Sequence, residues 1–218
     1  MKKAIIFDLD GTLADTIEDI TDGLNGMLRE YGFPTVTVKQ TLDNINNGAF
    51  ELVRRSLPVE KRNDDSFIKE AKIVYEKYYS RCYNIKTAEY NECGKALKKL
   101  SAMGIKLCVL SNKQDGFVKE IIKRLFPDIP FSIVMGQSER FKTKPDPSSV
   151  LYILSSVEVD ANDAAFVGDS NIDMLTAKNA GITPVGVSWG YRSTDILLEN
   201  GAELIVRAPS ELTSIANI

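Results

Sequence analysis

Ala4 to Phe7 is an unbroken apolar run that stops at Asp8 and Asp10. Such a run predicts a strand buried on both faces of a parallel sheet. In an extended backbone, residues two apart point the same way, so the strand delivers both acids to its C-terminal end, and Gly11 lets the chain turn there. The rhythm then becomes helical. Ile17, Ile20, Leu24, Met27, Leu28 and Tyr31 predict a helix over 16–31, weakened by Gly23 and Gly26 and ended by Gly32-Phe33-Pro34. Short helices follow over 38–44 and 49–57, separated at Asn46-Asn47-Gly48, and 58–65 reads as a polar loop. Phe67, Ala71, Val74, Tyr75, Tyr78 and Cys82 mark one stripe of a long helix over 66–83, whose tyrosines suit packing better than a cofactor box.

From about residue 87 strands and helices alternate. Helices are predicted over 91–103, 116–125, 148–157, 172–180 and 194–199. Strands are predicted over 106–110, 132–135, 164–167 and 183–187, with a weak one over 202–206. This alternation predicts an α/β core with a parallel sheet and crossover helices. Residues 1–14 and 87–218 form that core, interrupted by an all-helical insert over 15–86.

Apolar residues make up 44% of the 218 and charged residues 26%, an ordinary balance for a globular protein. The net charge of −3 leaves no global basic surface for nucleic acid or an anionic membrane. Lys2-Lys3 before an apolar run mimics the start of a signal peptide, but Asp8 and Asp10 stop that run too early. No stretch is long enough to span a membrane. Cys82, Cys93 and Cys108 form no CxxC and read as reduced thiols in a cytoplasmic protein, with Cys108 in the core. Histidine is absent. Gly186-Val187-Ser188-Trp189-Gly190 matches a nucleophile elbow, yet without imidazole no Ser-His-Asp triad can form, so the stretch reads as strand end and loop.

In an open α/β sheet, ligands bind beyond the carboxyl ends of the strands. There the sequence offers Asp8 and Asp10, then Ser111-Asn112-Lys113, then Lys144-Pro145 after a loop, then Gly168-Asp169-Ser170-Asn171-Ile172-Asp173. Carboxylates on separate strand ends suit a hard cation such as magnesium, and a hydroxyl, amides and a lysine suit a phosphate. Each piece also has an ordinary use. Ser111, Asn112 or Asp169 suits a helix cap, and Lys144 suits a solvated loop. Asp169 to Asp173 copies the start of an EF-hand loop, but Met174 and Ala180 stand where that loop needs Gly and Glu.

Together, in this order, the four segments resemble the motifs of the haloacid dehalogenase superfamily. The helical insert resembles that superfamily's cap domain on a Rossmann-like core with helices on both faces. Asn46-Asn47-Gly48-Ala49, Leu52-Val53 and Gly186 to Tyr191 further resemble phosphoglycolate phosphatases, which usually carry Gly at the position of Asn46. The resemblance implies a Mg2+-dependent phosphatase in which Asp8 attacks phosphorus and forms an aspartyl-phosphate. Carboxylate and phosphate charges repel by roughly 4 kcal/mol per pair at about 4 Å and an effective dielectric of about 20, which magnesium and Lys144 must cancel. Implied metal ligands are Asp8, the carbonyl of Asp10 and Asp169, with Asp173 a ligand or an orienter. Ser111, Asn112 and Lys144 would hold the phosphate. Asp10 would serve as acid and then base, which argues against a halide leaving group. Asn47, Gly48 and Arg54 or Arg55 are candidates for substrate contact. The expected partner is a small phosphorylated metabolite, with the chain a monomer or homodimer. A phosphosugar mutase and a catalytically silent binding or regulatory protein are the alternatives.

Overall fold

Strand β1 (Ala4–Phe7) has no side chain exposed to solvent, as its apolar run requires. The computed structural model describes every residue, Met1–Ile218. After β1 come β2 (Ala14–Asp15), α1 (Ile17–Glu30), α2 (Val38–Asn44), α3 (Gly48–Ser56) and α4 (Asp65–Tyr79). Then follow β3 (Ala88–Glu89), α5 (Cys93–Ala102), β4 (Lys106–Gln114), α6 (Asp115–Leu125), β5 (Ile133–Gln137) and α7 (Ser148–Val157). The chain ends with β6 (Ala164–Gly168), α8 (Asn171–Ala180), β7 (Thr183–Val187), α9 (Thr194–Glu199), β8 (Leu204–Val206) and 3₁₀ turns over Pro209–Asn217. Two compact units result: Met1–Asp15 with Glu89–Ile218, and Thr16–Ala88.

The first unit is built on a six-stranded parallel sheet in the order β5-β4-β1-β6-β7-β8. Phe7 of β1 lies opposite Val109 of β4 and Val167 of β6, so these strands reach one level together. Because β1 is flanked by β4 on one side and β6 on the other, the strand order reverses there, and a crevice opens beyond the carboxyl ends. Ile6, Cys108, Leu110 and Phe166 pack on Val150, Ile153 and Ala177, which seats α7 and α8 on one face. Helix α8 starts with a capping box between Ser170 and Asp173 and stops at Gly181, which is left-handed.

The second unit is α1 to α4, with α1 against α2 and α4, and α3 against α2 and α4. The α1 glycines have a packing use. A Cβ on Gly26 would lie 2.5 Å from the Tyr78 ring, and one on Gly23 would lie 3.0 Å from Tyr79 Cβ. The buried residues of α4 are Ile68, Ala71, Tyr75 and Tyr79. This stripe is rotated from the expected one because Phe67 instead joins a half-exposed ring cluster with Tyr31 and Phe33 at the helix start.

Other departures have local causes. Strand β4 runs past Leu110 to Gln114, with a register shift between the two that still lets Gln114 pair with Gln137. Ser111 and Asn112 therefore cap no helix: α6 begins after Gln114. The two-residue strands β2 and β3, and the C-terminal 3₁₀ turns against α5, carry no periodicity long enough to read.

Candidate active site

Every strand-end segment picked out from the sequence of the first unit contributes to one buried cluster. Lys144 is its hub. The Lys144 side chain is only 4% exposed, and its Nζ lies 2.6 Å from Asp173 Oδ1 and 2.9 Å from Asp8 Oδ1. The ammonium also sits 5.2 Å from the centre of the Phe166 ring. Its backbone is fixed by Asn112, whose Nδ2 donates to Lys144 O at 3.1 Å while Lys144 N donates to Asn112 Oδ1 at 2.8 Å. The Asn112 side-chain amide thus clamps the loop that carries Lys144.

Asp173 is fully buried, with both oxygens engaged. Oδ1 accepts from Lys144, and Oδ2 accepts from Ser170 N at 3.0 Å and Ser170 Oγ at 2.6 Å. Asp169 accepts from Tyr191 N at 2.7 Å and from Thr12 Oγ1 at 3.3 Å. Two glycines let backbone press against it. A Cβ on Gly11, whose φ is +85°, would lie 2.3 Å from Asp169 Oδ2, and one on Gly190 would lie 2.1 Å from Asp169 Cβ. Ser111 Oγ accepts from Lys113 N at 3.2 Å, and Lys113 Nζ reaches Asp10 Oδ1 at 2.7 Å.

The electrostatics are lopsided. Asp8, Asp169 and Asp173 each place an oxygen within 4.8 Å of the others, and one ammonium serves them. Asp8 Oδ1 touches Lys144 without an aligned hydrogen bond. Burial pushes the Asp8 carboxyl up to about 7, with Lys144 opposing and Asp173 and Asp10 adding to the rise. Asp169 is raised as well, by burial and then by Asp173 and Asp8. Burial alone would discharge Lys144, but Asp173 and Asp8 reverse this and hold it protonated. Three buried acids around one cation leave excess negative charge. The donor set is all oxygen, so a hard divalent cation fits the deficit.

The three cysteines and Ser188 are quiet. Burial pushes the Cys93 and Cys108 thiols up to about 12 and Cys82 up to about 11, leaving them as neutral thiols. Ser188 donates its hydroxyl to Arg207 O just beyond β7, as a strand-end residue and not a nucleophile.

Asn47, Gly48 and Arg54 belong to the helical unit. Asn47 Oδ1 accepts from Arg55 Nη2 at 2.8 Å, and Arg55 Nη1 donates to Asn44 O at 3.3 Å. Arg54 is paired with Asp65 at 2.9 Å and Glu51 at 3.5 Å, and its guanidinium lies 5.0 Å from the centre of the Phe50 ring. Three features escaped the sequence reading: the Lys113–Asp10 pair, the Tyr191 amide on Asp169, and Tyr90. The Tyr90 phenol is held neutral by burial and by Asp15, Asp169 and Asp10. The one available signal was the Trp189-Gly190-Tyr191 segment following a sheet strand.

Residues 5–187 match the model of a family described as haloacid dehalogenase-like hydrolase. The chain belongs to that family. Among proteins similar to this haloacid dehalogenase-like hydrolase is a phosphoglycolate phosphatase of Neisseria meningitidis, 32% identical over 92% of this chain and 86% of its own. Another from Colwellia psychrerythraea is 29% identical over 93% and 91%. A crystal structure of a predicted phosphoglycolate phosphatase from Haemophilus somnus superposes with a TM-score of 0.91 at 27% identity, covering 99% of this chain and 98% of that one. No helix is long and apolar enough to cross a membrane.

Proposed function

We propose that this chain is a magnesium-dependent phosphatase acting on a small phosphomonoester, with 2-phosphoglycolate the first candidate, through an aspartyl-phosphate on Asp8. The observation that carries the reading is the charge deficit around Lys144: buried Asp8 and Asp173 share that ammonium, and Asp169 adds a third acid within reach. The substrate candidate rests on the names of full-length relatives.

Asp8, Asp169 and the backbone carbonyl of Asp10 would hold the ion. Asp173, with both oxygens already engaged, would orient Lys144 and not bind the ion. When bound, magnesium supplies positive charge that offsets the repulsion between a carboxylate and a phosphate dianion. Asp8 attacks phosphorus, and the bond from phosphorus to the leaving oxygen breaks. Lys144 and Ser111 Oγ steady the transferring oxygens. Asp10 gives its proton to the departing alkoxide, then takes one from the water that cleaves the aspartyl-phosphate, returning Asp8 and releasing phosphate. The helical unit would act as the cap, with Asn47 and Gly48 in substrate choice. Arg54 would first have to leave Asp65 and Glu51.

The test is phosphate release over a panel of phosphomonoesters with magnesium or with chelator. Magnesium-dependent release, greatest on 2-phosphoglycolate, is the expected result. Release undiminished in excess chelator, or turnover that needs a bisphosphate activator and frees no phosphate, would overturn it.

A further inference from the structure

We infer that Lys113 is a positioning residue for Asp10, an inference that rests on the phosphatase reading above. Lys113 Nζ lies 2.7 Å from Asp10 Oδ1, with the two side chains 8% and 13% exposed. The pair joins residues 103 apart in the chain, so it is a product of the fold and not of local sequence. The extension of β4 creates it. Past the register shift after Leu110, three successive residues serve three different parts of the site. The Ser111 hydroxyl accepts from Lys113 N, Asn112 clamps the Lys144 backbone, and Lys113 reaches across to Asp10.

The two lysines divide the acids between them. Lys144 serves Asp8 and Asp173, the attacking side, while Lys113 serves Asp10, the proton-transfer side. Asp8 and Asp10 are chemically the same and two residues apart, so separate cations keep their positions separate. An ammonium on Oδ1 fixes the rotation of the Asp10 carboxylate and restrains it from turning toward Lys144. Proton transfer needs that aim, since heavy atoms must meet within about 3 Å. A misplacement of about 1 Å commonly costs on the order of 10²-fold in rate.

The experiment compares the magnesium-loaded wild type with Lys113→Met, Lys113→Gln and Lys113→Arg. On an alkyl phosphate, whose leaving oxygen needs a proton, Lys113→Met and Lys113→Gln should lose roughly 10- to 100-fold in kcat. On 4-nitrophenyl phosphate the first-turnover burst should stay within about threefold of wild type while the steady state slows. Intact mass during turnover should then show phosphorylated enzyme accumulating, and Lys113→Arg should recover most of the alkyl phosphate rate. Melting curves check folding, and Lys113→Gln or Lys113→Arg carries the test where Lys113→Met is unstable. Equal losses on both substrates without phosphoenzyme would overturn the inference. So would a rise in KM confined to substrates with an anionic leaving group, which would make Lys113 a substrate contact. A wild type that never phosphorylates Asp8 would instead overturn the phosphatase reading itself.

Discussion

Asp19, in the helical unit, and Asp8, in the sheet unit, are both carboxylates withdrawn from solvent, and their surroundings are opposite. Asp19 meets only neutral donors. Lys86 N donates to both its oxygens at 3.0 and 3.1 Å, and Thr87 N and Thr87 Oγ1 donate to Oδ2 at 2.8 and 2.7 Å. These bonds tie the first turn of α1 to residues 86–87, the other end of the helical unit. Asp8 is surrounded by other acids, shares its one ammonium with Asp173, and has no aligned hydrogen bond on Oδ1. Burial of a carboxylate therefore does not by itself mark a site. A carboxylate whose lone pairs are satisfied is structural, whereas one left short of positive charge is set up to receive it.

The sharpest way to break this comparison is to substitute both acids alike. Asp8→Asn should lower turnover by roughly 10⁴-fold or more, since removing a nucleophile leaves only binding and electrostatic help. It should not lower the melting temperature, because it relieves charge crowding. Asp19→Asn should do the reverse. It sets an amide N–H₂ against backbone donors and should cost about 2–4 kcal/mol of stability. Turnover per folded molecule should stay within about twofold. Phosphate release and urea titration measure the two effects, and an Asp19→Asn protein that is stable but inactive would end the comparison.

A smaller effect is expected from magnesium and pH on folding. In the metal-free protein the Asp8 carboxyl sits at about 7, against about 3.9 for an ordinary aspartate. Between those values the folded state holds the extra proton, so stability falls as pH rises through this window. Magnesium competes with that proton and should stabilise more at pH 8 than at pH 5.5, the full stabilisation at a concentration 100 times Kd being about 2.7 kcal/mol. Melting curves with magnesium or chelator at both pH values test this. Asp19→Asn should show the same magnesium shifts, and an ion effect that is absent or independent of pH would contradict the account.

The smallest effect concerns backbone strain in the helical unit. Asn46 has φ of +113°, in a region that favours glycine. Asn46→Gly should raise stability by roughly 1 kcal/mol, read by urea titration, while leaving the magnesium shift unchanged. A loss of stability would mean that the Asn46 side chain contributes more than its backbone costs.

Much of this arrangement was legible because strong local signals agree with the fold. The apolar run of β1 ends in acids, and the later strands end in polar residues at the level where the crevice opens. The long strand β4 was not legible past Leu110: Ser111 and Asn112 read as suited to a helix cap, and only pairing with β5 beyond a register shift carries the strand on to Gln114. The partners of Asn112, Lys113 and Asp169 lie far along the chain, and no local period encodes such contacts. The α4 stripe was misplaced because Phe67 looks like a core residue by type but packs at a helix start with Tyr31 and Phe33.

The central claim is that Asp8 is the nucleophile and Asp10 the proton carrier, and trapping the intermediate tests it most directly. Asp10→Asn keeps its shape and backbone carbonyl but cannot pass a proton. An acyl phosphate needs no proton to leave, so the first step should proceed and the second should slow by about 10²- to 10⁴-fold. Mixed with acyl phosphate and magnesium, Asp10→Asn should gain one phosphoryl group in its intact mass, mapped to Asp8 and missing when Asp8→Asn is added. Near-normal steady-state hydrolysis by Asp10→Asn, or a phosphoryl group that persists without Asp8, would contradict the account.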